Sequence, residues 1–515
     1  MRILTAEQMA TVDQRAVEEL GVPSMILMEN AAIGLADALG RHFPDAAEIT
    51  ILCGPGNNGG DGLALARHLE VRGYPYRVFL VTKKDPGGDA GHQLEILEKS
   101  GVEVVRVLPE SELGPVLAAC RGCDLVVDAL FGTGLSRPLE GHFRDLVEGL
   151  SGLPVPILAV DLPSGLDGSQ AEPPGLHLRA ELTVTFAAPK VAHVFHPAAE
   201  AIGELVVADL GIPAFLVDQA PGDLQLITAP ELAPELARRR PDAHKGDFGH
   251  LLIVAGGPGK AGAAILAARA AVRTGAGLVT AAVPSPILHT VDGGSLESMS
   301  LPLEVDDDGV LARSAAGRVL AAAEGKGAVA MGPGLGVADG TVEAVRRLAR
   351  ELAVPLVLDA DALNAHAGRL GDLRERDAAT VLTPHPGEMG RLLELGSEEV
   401  QADRPGAARR AAEESGAVVI LKGHRTLVAD PEGGVHVNPT GNPGMASGGS
   451  GDVLTGMVAA FLVQGYPAAL AARLAVYLHG LAGDVAIERI APETLRAGDL
   501  IEALPESFER LRRAG

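Results

Sequence analysis

Two stretches of this chain carry residues whose types and spacing suit chemistry. Near the C-terminus, Asn438-Pro439-Thr440-Gly441-Asn442-Pro443-Gly444-Met445-Ala446-Ser447-Gly448-Gly449-Ser450-Gly451-Asp452-Val453-Leu454 delivers a carboxylate, Asp452, to the head of an apolar run. A flexible backbone rich in N–H donors, ending where a helix starts, can hold a phosphoryl group beside a general base. The second stretch, Gly54-Pro55-Gly56-Asn57-Asn58-Gly59-Gly60-Asp61-Gly62, follows an apolar run and precedes an amphipathic one. Its amides also suit an anion, yet its glycine spacing departs from GxGxxG, and its two Asn and one Asp suggest ligand or cation work beyond the turn. Two further segments begin where apolar runs end: Asp128-Ala129-Leu130-Phe131-Gly132-Thr133-Gly134-Leu135 and Asp161-Leu162-Pro163-Ser164-Gly165-Leu166-Asp167-Gly168. Asp161 can shuttle a proton where a substrate comes within hydrogen-bond reach.

The elements that must position these residues follow from periodicity. From about 48 to 210, short apolar runs at 49–52, 77–81, 104–107, 125–127 and 157–160 alternate with helix-like runs such as 63–69, the pattern of a mostly parallel sheet covered by helices. In such a sheet the C-terminal strand ends share one edge, so the Asn loop, Asp128 and Asp161 converge on one crevice. A helical prefix, roughly 7–40, is expected to pack outside. A second alternation runs through 251–255, 327–330, 355–358, 380–382 and 417–421, followed by long Ala/Leu helices around 452–464 and 468–486. The reading is α/β throughout: one domain over 1–212, a Pro-rich, partly ordered connection over 213–240, and a second domain over 241–515.

Composition narrows the function. With 515 residues, 47% hydrophobic, the chain has enough material for two cores, although it has no Trp. A formal charge of −24 and the absence of a Lys/Arg block oppose nucleic-acid binding, while local backbone amides can still bind an anionic cofactor. Cys120-Arg121-Gly122-Cys123 has no second pair and reads as ordinary buried thiols. The N-terminus lacks the pattern of a signal, and the Ala-rich stretches are broken by Arg, Glu or Gly, so no membrane span and a cytoplasmic location are expected.

The first half resembles the NAD(P)H-hydrate epimerase family through Leu27-Met28-Glu29-Asn30-Ala31-Ala32 and the three segments ending near Gly62, Leu135 and Gly168. The resemblance implies a Rossmann-like three-layer domain that inverts the hydroxyl-bearing C6 carbon of hydrated NADH or NADPH. It further implies that Asn58, Asp128 and Ser164 hold potassium. The substrate would face Asn57, Asn58, Gly59, Gly60, Asp61, Gly132, Thr133, Gly134, Leu135, Ser136, Arg137, Pro138 and the catalytic Asp161. Arg137 is open between phosphate binding and simple exposure, and Lys190 between a structural and a supporting role.

The second half resembles the ADP/ATP-dependent NAD(P)H-hydrate dehydratase family, which has a ribokinase-like α/β fold. Segments around Lys245-Gly246-Asp247, Arg273-Thr274-Gly275, Gly332-Pro333-Gly334, Asp359-Ala360-Asp361 and Thr383-Pro384-His385 match it in order, as does the stretch through Asp452. The resemblance implies that Asp452 is the catalytic base and that Gly449, Ser450 and Gly451 cradle the transferring phosphate. Lys422, Gly423, His424, Arg425 and Thr426 would bind the adenylate, and Ala263, Gly334, His385 and Asp452 the hydrate. Glu388 and Asp361 are open between supporting a magnesium-bound water and helix capping. Magnesium would bridge the phosphates of ADP, which leaves as AMP once the phosphorylated hydrate expels phosphate. Together the halves imply repair of NADHX and NADPHX by a homo-oligomer, a tetramer or larger. The alternatives are a small-molecule or vitamin-precursor kinase with a nucleotide-binding regulatory N-domain, and a sensing module that has lost catalysis.

Overall fold

A computed structural model describes residues 1–515 as two compact units, Met1–Gly222 and Asp223–Gly515. The first opens with helix α1 (Ala6–Glu18), started by a capping box in which Thr5 Oγ1 accepts from the Gln8 amide at 3.2 Å and Gln8 Oε1 accepts from the Thr5 amide at 2.8 Å. Helix α2 (Ser24–His42) follows and packs on α3 (Asn57–Arg72). The strands are β1 (Ile49–Cys53), β2 (Tyr76–Val81), β3 (Val104–Val107), β4 (Leu125–Ala129), β5 (Ile157–Val160), β6 (Leu182–Phe186) and β7 (Glu204–Ala208). They form one parallel sheet in the order β3-β2-β1-β4-β5-β6-β7, a Rossmann-like arrangement whose direction of winding reverses between β1 and β4. Its central strands are continuous apolar runs because helices cover both faces: all five residues of β1 are buried. The expected strands are all present. β6 and β7 were not expected, since the Thr-rich run Leu182-Thr183-Val184-Thr185-Phe186 carries weak hydropathy although it is wholly buried.

The second unit has a ten-stranded sheet. Its strands are β8 (Leu224–Leu226), β9 (His250–Val254), β10 (Leu278–Pro284), β11 (Met299–Leu303), β12 (Ala328–Met331), β13 (Leu356–Leu358), β14 (Thr380–Leu382), β15 (Val418–Leu421), β16 (Leu427–Ala429) and β17 (Val435–Val437). The order is β11-β10-β9-β12-β13-β14-β15-β16-β17-β8, antiparallel only where β16 meets β15 and β17. Winding reverses between β9 and β12. Against one face lie the helices Ala261–Thr274, Ser450–Val463, Ala468–Ile487 and Ala497–Arg513, closely packed on one another through Ala and Gly. Gly456 shows why: a Cβ there would stand 2.2 Å from the Ala267 carbonyl oxygen.

Two expectations change. The interval 213–240 is no linker: it carries the helix Ala214–Asp218, then β8 and the helix Ala229–Leu232, and its Ile227, Leu232 and Leu236 belong to the second core. Its Pro213 and Pro230 start short helices, at positions where a missing N–H costs nothing. The helix Ala468–Ile487, with mean hydropathy 1.3, is long and apolar enough to cross a membrane, contrary to the expectation that no segment qualifies. Its Ala471, Leu474, Leu478, Ala482 and Val485 are buried, and its apolar composition reflects this place under the sheet.

Candidate active sites

In the first unit the loops after β1, β4 and β5 meet at the edge where winding reverses. Close backbone packing makes the glycines obligatory there. A Cβ on Gly54 would stand 1.9 Å from the Leu130 carbonyl oxygen, and one on Gly59 would stand 2.0 Å from that of Gly54. A Cβ on Gly132 would meet Asn58 Oδ1 at 2.7 Å and Asp161 Oδ2 at 3.0 Å, so both side chains reach this turn only because Gly132 has no side chain.

Asp161 sits at φ 64°, a conformation that L-residues avoid and that concentrates at functional sites. Its Oδ1 accepts from Lys190 Nζ at 2.9 Å and Thr185 Oγ1 at 2.9 Å, and its Oδ2 accepts from the Thr133 amide at 3.2 Å. Burial pushes this carboxyl up, but Lys190 and the hydrogen bonds outweigh it and hold the group below the usual range. Lys190, 1% exposed, also donates to Thr185 Oγ1 at 2.8 Å and the Phe186 carbonyl at 3.2 Å, which decides its open role: it is the counter-ion of Asp161. His193 Nδ1 accepts from the Lys190 amide at 2.8 Å, so Nε2 donates to the Asp161 carbonyl at 2.7 Å; burial lowers this imidazole to about 4 and keeps it neutral.

Asp128 and Ser164 are joined directly: Ser164 donates from its amide to Oδ2 at 2.7 Å and from Oγ to Oδ1 at 2.6 Å. No cation accompanies Asp128, which is fully buried and raised to about 6 by that burial. The Asn58 amide nitrogen is buried without a partner. Other expected residues scatter. Asn57, Ser136, Arg137 and Pro138 are exposed, Leu135 points into an apolar cluster with Leu130 and Leu139, and Gly60 lies against Met28 and Ala90. Asp61 lines the crevice without a hydrogen bond, and burial, then Asp161 and Asp13, raise it well above the usual range. Sequence reading missed Asp13 on α1 because a lone Asp within an amphipathic helix carries no motif.

In the second unit Gly449, at φ 93°, precedes the helix Ser450–Val463, and Asp452 stands in its first turn. Burial, then the Asp359 charge, lifts Asp452 to about 6 against the pull of Lys422. A buried network underlies it. Asp359 Oδ1 accepts from Lys422 Nζ at 2.8 Å and Thr383 Oγ1 at 2.7 Å, and its Oδ2 accepts from Thr455 Oγ1 at 2.7 Å. Burial alone would lower Lys422, but Asp359 and Glu388 raise it and fix its charge. A Cβ on Gly451 would lie 3.3 Å from Lys422 Nζ, which brings the ammonium against the glycine loop. Asp359, which holds Lys422 there, and Thr383 and Thr455, which orient Asp359, carried no assigned role in the sequence reading.

His385 caps the helix Pro386–Leu393, its Nδ1 accepting from the Gly387 amide at 3.0 Å, while half of its side chain remains exposed. Glu388 accepts in turn from the His385 amide at 2.8 Å and lies 3.7 Å from Lys422 Nζ, and Asp361 accepts from the Gly336 amide at 2.7 Å and from Lys260 Nζ at 3.4 Å, so both carboxylates cap or fix loops and also pair with a lysine. At the β9/β12 reversal Ala263 lies within 3.4 Å of a Cβ built on Gly334. The segment from Lys422 to Thr426 is the β15–β16 hairpin loop, with Gly423 at φ 140°, Arg425 at φ 53° and His424 exposed. Arg404, unforeseen from sequence, ties it by donating to the carbonyls of Leu421 at 3.3 Å, Lys422 at 3.4 Å and His424.

A Rossmann-like unit with a buried Asp–Lys pair, and a second α/β unit with an amide-rich loop ahead of a perturbed aspartate, define a two-site enzyme acting on nucleotide-like substrates. The family model described as YjeF-related protein N-terminus matches residues 24–192, and that of NAD(P)H-hydrate dehydratase matches residues 251–506. The chain is 43% identical to the bifunctional NAD(P)H-hydrate repair enzyme Nnr of Moorella thermoacetica, covering 99% of this chain and 97% of that protein. It is 39% identical to that of Thermofilum pendens, over 99% and 97%. The ADP/ATP-dependent NAD(P)H-hydrate dehydratase of Bacillus subtilis, crystallised with ATP and Mg2+, is 31% identical with a TM-score of 0.49, over 56% of this chain and 98% of that one. The chain belongs to the bifunctional NAD(P)H-hydrate repair enzymes. It is an NAD(P)H-hydrate epimerase joined to an NAD(P)H-hydrate dehydratase, and not a vitamin-precursor kinase.

Proposed function

We propose that the crevice of the first unit interconverts the R and S forms of NADHX and NADPHX, and that the Asp452 loop dehydrates the S form with ADP, giving NAD(P)H, AMP and phosphate. The observation that carries the dehydratase assignment is Asp452 itself, a carboxylate poised near neutrality behind Gly449, Ser450 and Gly451. It takes the proton of the ring hydroxyl as that oxygen attacks the terminal phosphoryl group, while the first-turn amides and Lys422 face the charge on the phosphate. The phosphorylated hydroxyl then leaves C6 as phosphate, the C5 hydrogen is lost as a proton to solvent, and the C5=C6 ring double bond returns. His385, Ala263 and Gly334 line the hydrate side, and the hairpin loop from Lys422 through Gly423, His424 and Arg425 to Thr426 receives the adenylate.

The donor set of the first unit fits potassium. Asp128, Ser164 and Asn58 are oxygen ligands, the Asp128 carboxylate is buried without a counter-ion, and the Asn58 amide nitrogen is unsatisfied, so the amide is free to turn its oxygen to a cation. Bound there, potassium would supply positive charge near the phosphates. No group of three His, Cys, Asp or Glu side chains is arranged to hold a metal, which fits a magnesium carried mainly by the phosphates of the nucleotide. The protein would act in the cytoplasm as a homo-oligomer.

Mixed NADHX epimers with ADP and Mg2+ are expected to return the full NADH absorbance. Without nucleotide they are expected only to equilibrate R and S on chromatography. Accumulation of a stable phosphorylated product would overturn the reading.

A further inference from the structure

Helix α1 precedes the matched epimerase region, which begins at residue 24. Its start is fixed beside the catalytic pair: Leu4 bridges Lys190, with the Leu4 amide donating to the Pro189 carbonyl at 3.0 Å and the Val191 amide to the Leu4 carbonyl at 3.2 Å. Two residues further on, the Ala6 amide donates to Ser169 Oγ at 3.0 Å. So seated, α1 carries Asp13 into the field of Lys190 and Asp161. Asp13 Oδ1 is shut in the protein with no hydrogen-bond partner, while the side chain keeps some contact with solvent.

Counting charges gives this placement a meaning. Asp61 from α3, Asp161 from the end of β5, Lys190 after β6 and the neutral His193 are the groups that face Asp13 or its neighbours. Three carboxyls thus share one ammonium, and that ammonium is already hydrogen-bonded to Asp161. With one lysine among them, such a group of carboxyls favours one ionised and the others protonated.

We propose that Asp13 is the proton donor of the epimerase site, working against the ionised Asp161. The inference rests on epimerisation taking place in this crevice. The N1 lone pair of the hydrated ring forms the C6=N1 bond as the C6–O bond breaks, and the departing hydroxyl takes the Asp13 proton and leaves as water. A water on the opposite face then adds to C6 and gives its proton to Asp161, while the electrons of the C=N bond return to N1. The proton passes from Asp161 back to Asp13 through crevice water, and the reverse reaction exchanges the two roles. Burial, opposed by Lys190 and aided by Asp161, raises Asp13 to about 6, the range in which a carboxyl can act in this way.

The test is epimerisation by the full chain, from single NADHX epimers without nucleotide, as kcat and kcat/KM against pH. The wild-type kcat/KM is expected to fall as pH rises through about 6, as the acid loses its proton. Asp13→Asn should lower kcat by about two to four orders of magnitude, leave KM within a few fold, and erase that alkaline limb while dehydration of S-NADHX continues. Asp13→Glu, which keeps the proton but moves it, should restore part of kcat together with a displaced limb, and it carries the test if the asparagine variant fails to fold. An unchanged limb in a folded Asp13→Asn, or a loss confined to KM, overturns the proposal. A wild type that does not epimerise, or whose Asp161→Asn variant is fully active, overturns the siting in this crevice instead.

Discussion

Asp161 is buried and Asp452 half-buried, and their surroundings push them apart. Asp452 receives no hydrogen bond and stands near Asp359, whereas Asp161 receives a lysine, a threonine and a backbone amide. The first is expected to titrate near 6, so kcat/KM for dehydration should fall tenfold per pH unit below about 6, where Asp452 takes up a proton and ceases to be a base. Initial rates at subsaturating S-NADHX between pH 5 and 8 check this. Asp452→Asn is expected to abolish dehydration and leave nucleotide-free epimerisation at the wild-type rate; loss of both in a folded protein would contradict separate sites. Most of these residues were legible because chemistry concentrates in glycine-flanked segments: Asp452, Asp161, Asp128 and Ser164 all sit where the loops said. Asp13, Asp359, Thr455 and Arg404 were not legible in the same way. Each acts through contacts with partners far along the chain; Asp359 lies in a recognisable segment, but nothing in that segment encodes its role, and no local spacing marks the other three.

At the scale of elements, the loop before the Asp452 helix depends on two anchors. Asp484 accepts from the Gly441 amide at 2.9 Å and Asn442 Nδ2 at 3.0 Å, and Gly449 turns the chain into the helix at φ 93°. Gly449→Ala forces an L-residue into that left-handed turn, at about 1–2 kcal/mol, and sets a Cβ 2.6 Å from Leu266 Cδ1. Urea denaturation should register at least the first cost, and the dehydratase rate should fall with it. The hairpin loop offers a contrast, since Arg404 holds its carbonyls from outside the site. Arg404→Ala is therefore expected to raise KM for the nucleotide severalfold with little change in kcat once saturated. Ten strands were readable from continuous apolar runs, whereas β7, β10 and β11 went unread, as did β6, β8, β16 and β17, which are short or Thr-rich and gain their burial only from neighbours.

At the scale of the molecule, each unit has its own core and its own ligands. A nucleotide that binds only the native second unit stabilises that unit by about 2.7 kcal/mol at a hundred times its Kd. Hydrogen exchange with and without ADP is expected to show slower exchange over 223–515 and none over 1–222. Oligomeric state follows from sedimentation, with a tetramer or larger expected.

The place of β8 bears on how this protein can be divided. β8 pairs in parallel with β17 through Leu224↔Val435, Gln225↔His436 and Leu226↔Val437, and closes that side of the ten-stranded sheet. A fragment starting at 241, where composition alone would cut, leaves β17 with a bare row of backbone donors and acceptors and strips Ile227, Leu232 and Leu236 from the core. Unpaired edges of that kind recruit other chains. The fragment 241–515 should therefore aggregate on expression, while 223–515 stays monodisperse in light scattering and keeps nucleotide-dependent turnover. A stretch that looks like a tether is in this chain the selvage of the sheet, and the second unit keeps that edge paired only when those eighteen residues, 223–240, travel with it.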